Sequence, residues 1–183
     1  MSELRLHALA LFGGKTAQDL WPLVDLAIFH WLLILLLPSW KYTPKLSLCL
    51  PILHAVLYTL CMISVVFFPE EGFEADPEAS FSSLEGIVAL FRDPTGVFVG
   101  WVHYLVFDAL IGRWILLDSQ ESNRTGDDGD DHGSFSVLLH ITIVVPCLLL
   151  TLMFGPTGWL IYIALGRRFI LNKSSSLKEN KKD

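Results

Sequence analysis

The sequence is poor in cysteine, and its cysteines lie in apolar stretches without the spacing of a redox or metal-binding motif. Cys49, Cys61 and Cys147 are the 3 in the chain, all within apolar stretches and without C-x-x-C spacing. This pattern gives no disulfide framework and no zinc-ligand signature. We expect the three residues to be small packing side chains.

Basic residues are also scarce. The chain carries 13 Lys and Arg against 19 Asp and Glu, for a formal net charge of −6. No basic patch is interleaved with aromatic residues, which argues against a nucleic-acid partner. Basic residues crowd the tail after residue 166. We therefore expect that tail to face the cytosol or its equivalent, and an even number of crossings would place the N-terminal segment on the same side.

Apolar residues are what the sequence has in abundance. They make up 52% of its 183 residues and give a mean hydropathy of +0.51. A bilayer-spanning helix needs about 20 apolar residues, and runs of this kind cover residues 20–40, 48–68, 97–117 and 135–165. The sequence therefore predicts an all-α polytopic membrane bundle of about four transmembrane helices, with no room for a soluble catalytic domain.

The remaining segments divide the chain around this bundle. We predict a single transmembrane domain over residues 18–168, preceded by an N-terminal segment 1–17 and followed by a basic polar tail 169–183. Residues 118–134 form an acidic loop. The bilayer itself is the partner that these apolar spans require.

Two further segments interrupt the regular pattern. Ser82 and Glu85 have capping-box spacing, and apolar residues then recur at helical intervals, which predicts a short amphipathic helix over residues 82–92 at the membrane surface. The last span contains Pro146 and the sequence Gly155-Pro156-Thr157-Gly158. Because proline removes a backbone donor, we expect this span to be kinked there.

Ionisable residues lie inside the predicted spans. An ionisable group in hydrocarbon costs at least ~2.5–3.5 kcal/mol on insertion scales, so such residues are often functional. The order Asp25…His30 in the first span is reversed as His103…Asp108 in the third, with the same spacing. If these helices touch, two Asp–His pairs can form and hold or pass a proton. The alternative interpretation is that they are polar contacts between helices.

Candidate site residues follow from this arrangement. The candidate catalytic residues are Asp108, His103, Asp25 and His30. The candidate substrate contacts are Trp101, Tyr104, Phe107 and Arg113. Arg113 lies nearer the membrane surface, where a long side chain can instead extend toward water.

The histidines allow a different hypothesis, an all-histidine Fe2+ site. His30, His54, His103 and His140 fall one per predicted span. Their predicted depths in the membrane differ, which argues against a shared ion, because every ligand must lie within about 2.0–2.2 Å of it. An Fe2+ site therefore remains only an alternative.

Four stretches of the sequence resemble a known family. They read W-L-L-I-L-L-L-P-S-W (31–40), S-L-E-G-I-V-A-L-F (83–91), G-W-V-H-Y-L-V-F-D-A-L-I-G (100–112) and P-C-L-L-L-T-L-M-F-G-P-T-G-W-L-I-Y (146–162). In this order they are similar to the abscisic-acid-deficient-four-like family, neoxanthin synthase-like membrane proteins. Two departures are the polar insert 119–134 and His30, where small residues are commoner.

The resemblance implies a role in carotenoid biosynthesis. It implies an isomerase that converts the epoxide end group of a violaxanthin-type xanthophyll into an allenic end group, by acid–base chemistry and without a cofactor. The implied location is a plastid membrane, with an endomembrane as the other option. A non-catalytic carotenoid-binding or assembly subunit is the alternative, because function resides in the site and not in the fold. A further alternative, which uses the histidine Fe2+ site, is an iron-dependent carotenoid cleavage oxygenase. A small bundle offers little interior for a long polyene, so homo-oligomerisation is a further expectation.

Overall fold

The protein is an integral membrane protein built from helices. The structure is a computed structural model, and it describes residues 6–71, 76–124 and 138–170. Three helices are long and apolar enough to cross a bilayer: Ala17–Leu36, Thr43–Phe67 and Pro94–Ser122. They coincide with the first three predicted spans and confirm the all-α membrane bundle.

The described residues form short β-strands and α-helices. In chain order they are β1 (Ala8–Leu9), β2 (Lys15–Thr16), α1 (Ala17–Asp25), α2 (Ala27–Leu36), α3 (Thr43–Phe67), α4 (Leu84–Leu90), α5 (Pro94–Arg124), α6 (Val145–Phe154) and α7 (Pro156–Ile161). A 3-10 turn, Ala10–Phe12, joins the strands, and π-helical turns His140–Val144 and Tyr162–Gly166 precede α6 and follow α7. Residues 118–124 belong to α5 and not to the predicted acidic loop, whose residues 125–134 lie outside the described part of the chain.

The chain divides into two compact units, Met1–Ala27 with Leu50–Val106 and Ile28–Cys49 with Phe107–Asp183. In the first unit, β1 pairs antiparallel with β2. Thr16 and Asp19 form a reciprocal capping box that starts α1, which satisfies backbone donors that the first turn leaves free. The unit buries a core that includes Leu9, Leu20, Val24, Leu57, Phe98 and Val102.

The predicted surface helix is present in the first unit as α4. Its N-cap is Ser83, which accepts a hydrogen bond from the Gly86 amide at 3.0 Å, so the cap lies one residue later than predicted. Gly86 and Ala89 are buried against the protein, while Leu84 and Val88 are exposed. This division between faces is typical of a helix that lies at a membrane interface.

The second unit contains α2, the second half of α5 and the helices α6 and α7. Its core includes Trp31, Ile34, Ile115, Leu116, Leu148 and Tyr162. α5 approaches α2 closely at Gly112, because a Cβ there would lie 2.9 Å from the Trp31 ring. The absence of a side chain at this position is what lets the indole pack against the helix.

The last predicted span is the main difference between expectation and structure. The break at Gly155 is present, but the chain reverses there instead of continuing as one kinked span. Gly158 packs against Thr151 and the Cys147 carbonyl, and a Cβ on Gly166 would lie 3.0 Å from Ile143. Such contacts require α7 to run back along α6. We call this element, residues 138–170, the C-terminal hairpin; Gly155 is its tip, and His140 and Arg167 mark its root.

Candidate functional site

Asp108 and the tip of the C-terminal hairpin meet in the second unit. A Cβ added to Gly155 would lie 3.0 Å from the Asp108 Oδ1 atom. Gly155 has φ 52° and ψ −111°, a conformation that side chains other than hydrogen disfavour. Position 155 therefore needs glycine for two reasons. Its backbone angles disfavour other residues, and the Asp108 carboxyl group lies where a side chain would be.

The hairpin turns tightly because small and polar residues line its inner face. The Gly155 amide donates to the Thr151 carbonyl at 2.8 Å, and the buried Thr151 hydroxyl donates to the Cys147 carbonyl at 2.8 Å. Gly158 lies directly against this turn of α6. The two arms thus approach at backbone distance, as small residues permit in membrane helices.

Asp108 is half-buried beside this interruption in the helical backbone. Among the residues that the structure describes, none makes a side-chain hydrogen bond or ion pair with its carboxyl group. Broken helices at membrane depth need protein or water around their free backbone groups. A carboxyl group at such a break lies where water and a polar part of a substrate are best accommodated, and it keeps its capacity to give or take a proton.

His30 lies in the same unit as Asp108. It is 1% exposed, and its ring contacts Trp31 edge-on, with ring centroids 5.5 Å apart. Burial of a histidine between helices is compatible with either a packing role or proton transfer. The His30–Asp108 pair stays a prediction.

Asp25 and His103 both belong to the first unit. Asp25 is exposed at the end of α1, and His103 is half-buried. The His103 ring lies edge-on to Tyr58 and Tyr104, with centroid separations of 5.3 and 6.0 Å. Sequence reasoning missed Tyr58, although its aromatic ring in an apolar span was a visible signal. The Asp25–His103 pair also stays a prediction.

The proposed substrate contacts on α5 face outward. Trp101, Tyr104 and Phe107 are 50%, 61% and 53% exposed, so they present aromatic surface on the outside of the helix. Arg113 differs, because its guanidinium donates to the Pro44 carbonyl at 2.9 Å. This contact ties α5 to the start of α3, and it gives Arg113 a structural role that sequence reasoning did not assign.

Two histidines of the alternative Fe2+ site lie against backbone carbonyl groups. His54 lies 2.9 Å from the Leu23 carbonyl and His140 lies 3.3 Å from the Leu35 carbonyl, so both rings are engaged by backbone. Within residues 6–71, 76–124 and 138–170, no three His, Cys, Asp or Glu side chains are grouped so that they could hold a metal ion. The four-histidine Fe2+ site and the oxygenase alternative stay predictions.

A polar cluster that sequence reasoning missed closes the root of the hairpin. The Asp118 carboxylate accepts from the Tyr162 hydroxyl at 2.8 Å and from the Arg167 Nε at 3.0 Å. Trp114 packs edge-on against the same tyrosine, at 5.9 Å between centroids. The opposite charges of Asp118 and Arg167 could have indicated an ion pair. The predicted fourth span, however, placed the two residues on opposite sides of the membrane.

A cavity of about 720 Å³ also opens at the root. Most of its wall is apolar and comes from the end of α2, the turn that follows it and the first arm of the hairpin. Ser39, Ser119, Gln120 and His140 supply its polar part. Gln120 is itself fixed, because its amide donates to the Pro38 carbonyl at 2.7 Å. The cavity is therefore a mainly apolar recess with a polar margin, separate from the hairpin tip.

Comparison with known proteins gives one result. The family model described as ABA DEFICIENT 4-like matches residues 23–162 of the chain. The match begins in α1 and ends at Tyr162, so it includes Asp108 and the hairpin tip. No curated protein and no solved structure matches the chain.

Proposed function

Because this chain belongs to the ABA DEFICIENT 4-like family, we propose that it is a carotenoid isomerase of a plastid membrane. Its substrate would be a violaxanthin-type xanthophyll, whose epoxide end group it converts into an allenic end group. The observation that carries this proposal is the half-buried Asp108 carboxyl group against Gly155 at the hairpin tip. A proton-transferring group within an apolar bundle is what this chemistry requires.

The reaction is a balanced isomerisation. A base takes the proton from the polyene carbon next to the epoxide ring carbon, and the electrons of that C–H bond form the new double bond of the allene. The carbon–oxygen bond of the epoxide breaks at the same ring carbon, and the oxygen leaves as an alkoxide that an acid protonates to a hydroxyl. The steps need no oxidant or reductant, so the reaction as written needs no redox cofactor.

We assign the proton transfer to Asp108. Positioned acid–base groups contribute typically ~10²–10⁴-fold to rate. His30 is the predicted second group, since it belongs to the same unit and is buried. One of the two would take the carbon-bound proton while the other gives a proton to the epoxide oxygen.

The substrate would reach this site from the lipid. The aromatic side chains of Trp101, Tyr104 and Phe107 lie on the outer surface of α5, where a polyene dissolved in the bilayer can contact them. Such a route leaves the long apolar chain in the membrane and brings only one end group to Asp108. The bundle then does not have to enclose the whole pigment.

The test is conversion in a bacterial host that accumulates violaxanthin. The intact protein should yield a new allenic xanthophyll by chromatography, and Asp108→Asn should lose at least about 100-fold of that activity at equal protein level. Glu121→Gln, an exposed carboxyl on the same helix, is the matched control and should keep full activity. Unchanged pigment that co-purifies with the intact protein would instead favour the non-catalytic binding role.

A further inference from the structure

Both ends of the C-terminal hairpin lie beside the same end of α5. At its entry, His140 lies 3.3 Å from the Leu35 carbonyl near the end of α2, and it lines the same cavity as Ser119 and Gln120 of α5. At its exit, Tyr162 and Arg167 bind Asp118, close to the end of α5. All of these residues belong to the second unit, so the entry and the exit are fixed within one compact body.

The hairpin is too short to cross the membrane. The described part of its first arm, residues 138–154, has 17 residues, which include the π-helical turn His140–Val144 and α6. At ~1.5 Å per residue this described arm is about 25 Å long, against about 30 Å of hydrocarbon. The tip lies against Asp108, which precedes Asp118 on α5 by about 15 Å along the helix axis. The tip therefore reaches the interior of the bilayer and not its far surface.

We infer that the C-terminal hairpin is re-entrant: it enters the membrane and leaves it on the same side. The turn between α2 and α3 lies on that side too, because Gln120 binds the Pro38 carbonyl and Arg113 binds the Pro44 carbonyl. α3 is long enough to cross, so the segment that follows Phe67 lies on the opposite side. The chain then crosses three times and not four.

The charges agree with this arrangement. The turn side carries Lys41 and Lys45, and the hairpin exit brings Arg167 and Arg168 to the same side. Among the described residues, the opposite side carries fewer basic residues, Lys15 and Arg92. Short loops rich in Lys and Arg remain on the cytosolic or equivalent side, so we place the turn and the hairpin exit on that side. A crossing fourth span would instead separate Arg167 from Lys41 and Lys45.

Cysteine labelling in sealed vesicles tests the inference directly. Cys49→Ser removes the exposed native thiol, while Cys61 and Cys147 are buried. Single cysteines are then introduced as Ser39→Cys in the turn, Glu78→Cys beyond α3, and Arg168→Cys at the hairpin exit. A membrane-impermeant maleimide is added before and after the vesicles are opened.

The re-entrant hairpin predicts that Ser39→Cys and Arg168→Cys label from one side and that Glu78→Cys labels from the other. Labelling of Arg168→Cys together with Glu78→Cys would show a crossing fourth span and overturn the inference. Labelling of Ser39→Cys and Glu78→Cys from one side would overturn it as well. Lys182→Cys repeats the measurement in case Arg168→Cys does not accumulate, and no arm depends on a carotenoid being converted.

Discussion

Two aspartates of α5, one at the root and one at the tip of the C-terminal hairpin, differ in their hydrogen-bond partners. Asp118, at the root, accepts hydrogen bonds from Tyr162 and Arg167. Asp108, at the tip, lies against the backbone of Gly155 and, within the described residues, has no side-chain partner. A carboxylate whose oxygens are already bonded stabilises structure, whereas one without partners is available for a substrate. The difference separates a structural position from a chemical one on a single helix.

The largest expected difference between the tip and the root is in turnover. Asp108→Asn should lower the turnover of the proposed isomerisation by about 100-fold or more, while the protein still accumulates in the membrane. Asp118→Asn should lower the amount of folded protein but leave turnover per molecule nearly unchanged. The measurement is product formed per unit of purified protein. Equal losses in turnover for both variants would remove the distinction between tip and root.

The next effect is at the tip backbone. Gly155→Ala should destabilise the protein by about 3 kcal/mol, because the side chain strains the backbone and meets the Asp108 carboxyl. Gly13→Ala is the matched control, since Gly13 also has positive φ (65°) but has open space around it. The two midpoints of thermal unfolding in detergent are compared. A Gly155→Ala midpoint no lower than that of Gly13→Ala would contradict the close contact at the tip.

A smaller effect is expected along the inner face of the hairpin. Gly158→Ala should destabilise by about 2 kcal/mol, because its new methyl group meets the backbone of α6. Gly166→Ala should cost less, since the nearest atom is a methyl group of Ile143 that can move. Thermal unfolding of both variants gives the order. The reverse order would mean that the arms do not pack as closely at Gly158 as described.

The smallest effect is at the root. Tyr162→Phe removes one hydrogen bond to Asp118 and should cost about 1 kcal/mol. Arg167→Gln should cost less, because the arginine is largely exposed and surface ion pairs contribute only about 0–1 kcal/mol. A double-mutant cycle with Asp118→Asn measures each coupling energy. Coupling near zero for both pairs would show that apolar packing alone closes the root.

Much of the fold was predictable because it depends on local patterns. Long apolar runs predicted the three spans, and the helical recurrence around Leu84 and Val88 predicted the surface helix. The polar end of α5 was missed. The apolar run that predicted this span ends at residue 117, and the polar residues 118–124 resemble a loop in sequence. Ser83 and not Ser82 caps α4, a choice between adjacent serines that depends on how the preceding chain enters the helix.

The candidate site was predictable only in part. Asp108 stood out as an ionisable residue in an apolar span, and Gly155-Pro156 marked a break in the helix. A glycine–proline break has the same sequence pattern whether the chain bends or reverses, so the hairpin did not follow from it. The decisive contacts, such as Gly158 on Cys147 and Arg167 on Asp118, join residues distant in sequence. Without the reversal, nothing linked the tip to Asp108.

The covering of Asp108 by the hairpin tip has a consequence for how the protein is made. During synthesis Asp108 leaves the ribosome well before Gly155, so the third span enters the bilayer with its carboxyl group uncovered. Within the described residues, the hairpin tip between α6 and α7 places protein backbone beside that group. A nascent chain stopped before the hairpin therefore carries an exposed acid in hydrocarbon, a feature that membrane quality control can recognise. The site is therefore complete only after the C-terminal hairpin has been synthesised.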